Sequence, residues 1–350
     1  MTTRLCLWLL AALALAQTGC RTVGYYAQAI HGQCQVLRRS QPIQEILADT
    51  NTSPVLRSKL QLVLKLRAFA AGELKLPANG HYLDYADLQR PFVVWNVSAA
   101  PEFSLKARQW WYPVVGRLDY RGYFQEDRAR RCAAELRHQG LDVYVGGVAA
   151  YSTLGWFHDP VLNTFLFQND ADVAELLFHE LAHQRVYIPG DTEFNEAFAT
   201  AVAEEGLRRW MSAARDVTAQ ERFRAAAARN GQFVEIVTKA RARLESLYAG
   251  HDSASAAADL AKLRESKQRV FEELRQDYAR IKVQWGGREE YDQWFAQPLN
   301  NAQINSVDTY YKLVPGFHRL LSRHGGDLEA FYQAVKTIGK LPKEERRRRL

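Results

Sequence analysis

Apolar residues recur at helical spacing along most of the chain. Leu60, Leu62, Val63, Leu66 and Phe69 make one such stripe, preceded by the breaker run "ADTNTSP" at 48–54. This pattern predicts two helices between about residues 24 and 75. The period then changes. "PFVVWNVS", "YPVVGRLDYRGYF" and "LDVYVGGVAAYST" are rich in β-branched and aromatic residues, the second reading as a hairpin and the third following a helix closed by Gly140. They predict a twisted mixed sheet across roughly 90–170. From there the helical period returns. Asp170 or Asp172 can cap a helix rich in Ala, Leu and Glu, Pro189 and Gly190 break it, and Asp191 or Thr192 can cap a second. From Ala213 to about Lys282 the chain is dominated by Ala, Arg, Glu, Leu and Lys, interrupted at "AGHDSAS". Two long helices paired as a hairpin are expected, since the heptads are too irregular for a coiled coil. "NNAQINSVDTYYKLVPGFHRLL" (300–321) predicts a further helix that Pro315 bends or ends.

Composition adds little to this picture: 350 residues, 47% hydrophobic and 24% charged, are ordinary for a globular chain with a sizeable core. The N-terminus changes it more. Arg4 precedes an apolar run from Leu5 to Ala16, which is a secretory pattern and too short for the ~20 residues a spanning helix needs. Gly19-Cys20 is similar to the bacterial lipobox, although Gln17 stands where that motif favours Leu, and cleavage after Ala14-Leu15-Ala16 competes with it. On the lipoprotein reading residues 1–19 are removed, Cys20 carries the lipid, and the protein is exported to the periplasm and anchored to the outer membrane. Cys34 and Cys132 could pair in that compartment or remain buried thiols. The net charge of +7 is concentrated in "DRARRCAAELRHQ" and the closing "KEERRRRL". We read these as a solvated face and a frayed tail; no nucleic-acid-binding module accompanies them, so no such partner is expected.

The candidate chemistry lies in "AELLFHELAHQRVYIPGDTEFNEAFATAVAEE" (174–205). His179 and His183, four apart, fall on one face of a helix, where two imidazoles can converge on one ion. Glu180 completes His-Glu-x-x-His, the pattern in which two neutral histidines bind zinc and the glutamate takes a proton from the water that zinc activates. A catalytic zinc needs a third protein ligand. Glu196 falls about one turn into the next helix. One turn out and one turn back across helices about 8–10 Å apart brings it level with His183.

His-Glu-x-x-His followed on the next helix by Asn195-Glu196-Ala197-Phe198-Ala199 resembles the gluzincin metallopeptidases, and most of all a bacterial family of zinc aminopeptidases. The likeness extends over "RPFVVWNVSAAPEFSL", "YPVVGRLDYRGYF", "AYSTLGWFHDPVLNTFL" and "NNAQINSVDTYYKLVPGFHRLL". It implies an α+β, zincin-like fold as one domain from residue 20 to 350. Its parts would be N-terminal helices (24–75), a sheet lobe (90–170), zinc helices (171–212) and a helical lobe (213–340). It implies one Zn2+ on His179, His183 and Glu196, with Glu180 as base. It further implies an oxyanion donor after the zinc helices, for which Tyr310, then Tyr311, then His318 are candidates, core packing being the alternative for both tyrosines. Ala150–Trp156 would be an edge strand beside the cleft or an interior strand and loop. Only twelve residues separate His183 from Glu196, fewer than in the larger gluzincin families.

The expected activity is zinc-dependent removal of N-terminal residues from peptide substrates. The alternatives are a zinc endopeptidase acting on envelope proteins and a non-catalytic envelope protein with a structural metal, the last disfavoured because no fourth protein ligand is evident. An aminopeptidase also needs a carboxylate for the substrate ammonium, and Glu102 and Asp159 are the candidates, each equally readable as a solvated loop acid. Whether Glu204 or Glu205 supports the metal ligands or is helix surface stays open, surface being the better reading for at least one.

Overall fold

The computed structural model describes residues 22–113, 115–214, 217–249 and 257–350; Cys20 and the apolar N-terminal run lie outside them. Three helices, not two, open the chain: α1 (residues 22–39), α2 (Ile43–Ala48) and α3 (Pro54–Gly72). The extra break is the short strand β1 (Ser40–Pro42). The predicted break before α3 is present, with the Ser53 hydroxyl accepting from Leu56 N–H (3.3 Å) and Pro54 at the first position, where its missing N–H costs nothing.

The extended region runs β2 (Asp84–Ala86), β3 (Val94–Pro101), β4 (Trp110–Tyr112), β5 (Gly116–Leu118), β6 (Tyr120–Tyr123), helix α4 (Glu126–His138), β7 (Leu141–Val148) and β8 (Val161–Leu162). The single mixed sheet expected here is three small sheets: a mixed β1-β2-β8, an antiparallel β6-β3-β7 and the hairpin β4-β5. Pro113 explains the separation of the hairpin. It cannot donate to a ladder, so Tyr112 turns back onto Gly116 instead of prolonging a longer strand. Ala150–Trp156 is not a strand either. Its backbone folds into a turn, Trp156 N–H bonding Thr153 O at 3.1 Å, with Leu154 and Gly155 at φ +54° and +82°.

Helices α5 (Asn163–Leu166), α6 (Asp170–Arg185), α7 (Thr192–Ala214), α8 (Val217–Tyr248), α9 (Ala257–Gln284), α10 (Asp292–Ala296), α11 (Asn301–Tyr311), α12 (Val314–Arg323), α13 (Leu328–Gly339) and α14 (Lys343–Arg349) complete the chain. The main core packs Leu177, Phe178 and Leu181 of α6 and Phe194 and Phe198 of α7 against Leu60 and Leu66 of α3 and Phe317, Phe331 and Tyr332 of α12 and α13. Each such side chain contributes about 1.5–3 kcal/mol on leaving water, so α6 and α7 are held firmly by their far faces. The hairpin α8–α9 has its own core around Phe233, Leu244, Phe271 and Leu274, shared with Ile304 and Val307 of α11. Pro315 stands in the first turn of α12, after the backbone has already left α11. Cys34 and Cys132 are free thiols. Among the described residues, no helix is long and apolar enough to cross a membrane.

Candidate active site

α6 is capped by Asn169, whose side-chain oxygen accepts from the N–H groups of Ala171 (3.1 Å) and Asp172 (3.0 Å). Asp170 and Asp172, the expected caps, instead fall in the first turn, where their charge suits the helix dipole. With one face of α6 in the core, the opposite stripe at helical spacing (Asp172, Glu175, His179, Glu180 and His183) faces a cavity of about 650 Å³.

The turn from α6 into α7 is short because it is tied from two sides. The Asn195 side chain accepts from Ile188 N–H and donates to Ile188 O, both at 2.8 Å. Gly190 N–H bonds Val115 O (3.1 Å) at the tip of the β4-β5 hairpin. Gly116, at φ +80°, lies so close that a Cβ there would stand 2.8 Å from Gly190 N. The hairpin tip therefore requires glycine twice over, for its φ and for its approach. Thr192 starts α7, so that Asp191, one of the two caps the sequence offered, stands just before it with its carbonyl accepting from Asn195 N–H (3.1 Å).

This turn places Glu196 against the histidines despite the twelve-residue spacing. Its Oε2 lies 3.3 Å from His179 Nε2 and 3.6 Å from His183 Nε2, and one donor atom from each of the three residues fits within 4.8 Å. Tetrahedral zinc with bonds of about 2.0–2.2 Å holds its ligands about 3.4 Å apart, so two imidazoles and a carboxylate at these separations fit that ion. Burial alone would raise the Glu196 carboxyl, but the charge of His183 beside it and the hydrogen bond from His179 overcome it and bring it down to about 2. Glu196 is thus held as an anion. Glu180 is as deeply buried and does not join this group. Burial pushes its carboxyl above the usual range, with His179 and His183 holding it back.

The cleft floor is a sheet face: Val94 and Asn96 of β3 and Tyr120 and Gly122 of β6 alternate toward the cavity. Tyr310, from α11, stacks on His179 with ring centroids 6.1 Å apart. The Glu196 charge, then burial, pushes its hydroxyl well above the ordinary value. Tyr311 lines the same cavity but its hydroxyl bonds Asn230, near Glu175 and Glu204 rather than the cluster of His179, His183 and Glu196. The sequence reading missed Tyr120 and Tyr187, which also line the cavity and feel the charge of Glu196. The alternation of "DYRGYF" carried the signal for Tyr120.

Other candidates fall outside the cavity. Glu102 is bound by Arg264 at 2.5 and 2.8 Å. Asp159 is buried, accepts from Thr153 N–H (3.1 Å), and so holds the turn that replaces the expected strand. His318 bonds Glu204 (2.7 Å), and Glu205 is buried beneath Arg208 and Arg209. The closing arginines are not a frayed tail: Arg346 and Arg347 clamp Asp191 and Glu193 at the start of α7.

A family model described as "Putative aminopeptidase" matches residues 24–350, nearly the whole chain, and the chain belongs to that family. The family name points to a peptidase acting on peptides. No curated protein and no solved structure matches the chain.

Proposed function

We propose that this protein is a zinc aminopeptidase of gluzincin type, with His179, His183 and Glu196 holding the metal. The observation that carries the proposal is the convergence of those three side chains, with Glu180 left over on the same wall of the cavity. When bound, zinc would polarise the scissile carbonyl and lower the pKa of water from about 15.7 toward 7. Glu180 takes the proton of the attacking water. Burial raises its basicity, which suits a base that must later return the proton to the leaving amine. The Tyr310 hydroxyl donates to the oxygen that gains charge as water adds. The Glu196 charge and burial push the hydroxyl's pKa above the ordinary value, which favours the protonated, donating form. Such a donor is worth about 3–4 kcal/mol in the transition state.

The aminopeptidase reading, over an endopeptidase, is supported by the family. Zinc-loaded protein should cleave an aminoacyl anilide and act poorly on the same compound acetylated at nitrogen. Equal turnover of the two would favour an endopeptidase. By the same reading of the N-terminal run, the protein is exported and lipid-anchored at Cys20; Cys20→Ala should release it from membranes.

A further inference from the structure

Among the described residues, four carboxylates line the cavity, Asp172, Glu175, Glu180 and Glu196, and no lysine or arginine does. Glu196 belongs to the metal group, and Glu180 is the base. Asp172 is exposed and bonded to Asn169. Glu175 remains. It lies largely out of water, in the field of Glu204 and Asp172, both of the same sign, and has no hydrogen-bond or ion-pair partner among the described residues. An unpaired carboxylate in such a place is costly, and the complement of its surroundings is a cation.

Resting on the aminopeptidase reading above, we propose that Glu175 binds the free α-ammonium of the peptide substrate and so makes the enzyme an exopeptidase. The spacing fits this role. Glu175 precedes His179 by four residues on the cleft-facing stripe, just over one turn or about 6 Å along the helix. In an aminoacyl group the α-nitrogen lies two bonds, about 2.5 Å, from the carbonyl carbon, and a charge-assisted hydrogen bond adds about 2.8 Å. A substrate whose carbonyl is held at the metal ligands would thus bring its ammonium toward the next turn of the helix, where Glu175 faces the same cavity, while an internal peptide offers a neutral amide that cannot answer the charge. Tyr311 flanks Glu175, and its engagement with Asn230 leaves it as a wall of this subsite.

The test compares L-leucine p-nitroanilide with its N-acetyl form on zinc-loaded wild type, Glu175→Gln and Glu175→Asp, with zinc content and melting temperature measured for each. Glu175→Gln should raise KM for the free amine roughly 10- to 100-fold, the size of one charge-assisted hydrogen bond. It should leave kcat, metal content and the slow reaction of the acetylated compound near wild type, and Glu175→Asp should recover part of the loss. A parallel calorimetric titration of L-leucinamide into Glu180→Gln protein should show binding that the added Glu175→Gln change weakens by the same factor. Wild-type preference for the free amine that survives Glu175→Gln overturns this assignment alone. An equal loss on both substrates would make Glu175 structural and overturn it as well. Indifference of the wild type to acetylation overturns the aminopeptidase reading itself, and this inference with it.

Discussion

Asn195 and Ile188 hold each other by two hydrogen bonds of 2.8 Å, one to each backbone polar group of Ile188. That clasp closes the turn between α6 and α7, and the residue next to Asn195 is Glu196. The Asn-Glu pair thus divides its work, one side chain fixing the turn and the other meeting His179 and His183. Asn195→Ala should weaken zinc about 10- to 100-fold, the usual effect of losing a group that orients a ligand, measured by competition with a fluorescent chelator. Unchanged affinity would mean that the hairpin contact at Gly190 holds the turn alone.

Tyr310 and Tyr311 are adjacent but differently employed. Tyr310→Phe should lower kcat about 100- to 1000-fold with KM and bound zinc unchanged. Tyr311→Phe, whose hydroxyl bonds Asn230, should keep kcat near wild type. A reversed pattern would move the oxyanion donor to Tyr311. A small effect of Tyr310→Phe would turn attention to Tyr120, which faces the same carboxylates.

Glu175 carries a pH signature in the metal-free protein. Burial, then Glu204 and Asp172, raise its carboxyl from 4.5 to about 7. The folded state therefore holds this proton more tightly than the unfolded chain. Its contribution to stability is fully present below about 4.5 and is lost as pH rises through about 7. Glu175→Gln should match wild type in melting temperature near pH 4.5 and exceed it by the equivalent of about 1–3 kcal/mol at pH 8. A pH-independent difference would contradict the burial of this charge.

The C-terminal clamp is a stability element. Arg346 pairs at 2.7 Å with Asp191, which is 3% exposed. Arg346→Ala should cost roughly 3 kcal/mol, the low end for a buried pair that loses one partner, because Lys343 remains 3.4 Å away. Chemical denaturation checks this. A change below about 0.5 kcal/mol would restore the view of these arginines as solvated surface.

The convergence of His179, His183 and Glu196 was legible because helical spacing alone puts the two histidines on one face, and the Pro189-Gly190 break fixes the return path of Glu196. The long helices were legible for the same reason of period. Strand partners were not, since short β-rich runs do not say which ladder they join, and Pro113 redirected one of them into a separate hairpin. Glu102 and Asp159 were sought as acids near predicted strands and proved to be paired or buried elsewhere. Glu175 sat in plain view on the stripe of His179 and His183, but an acid on a helix becomes a site only when the opposite wall is known. The C-terminal arginines likewise gained meaning only from the distant Asp191 and Glu193.

The most direct test is the zinc content and turnover of Glu180→Gln. Glu180 stands beside the three-residue cluster without joining it, so on the proposed reading the variant, like the wild type, should bind about one zinc per chain. It should also lose most of its cleavage of L-leucine p-nitroanilide, whereas Glu196→Ala should lose the metal itself. Loss of zinc from Glu180→Gln, or near-normal turnover by it with zinc bound, would contradict the account.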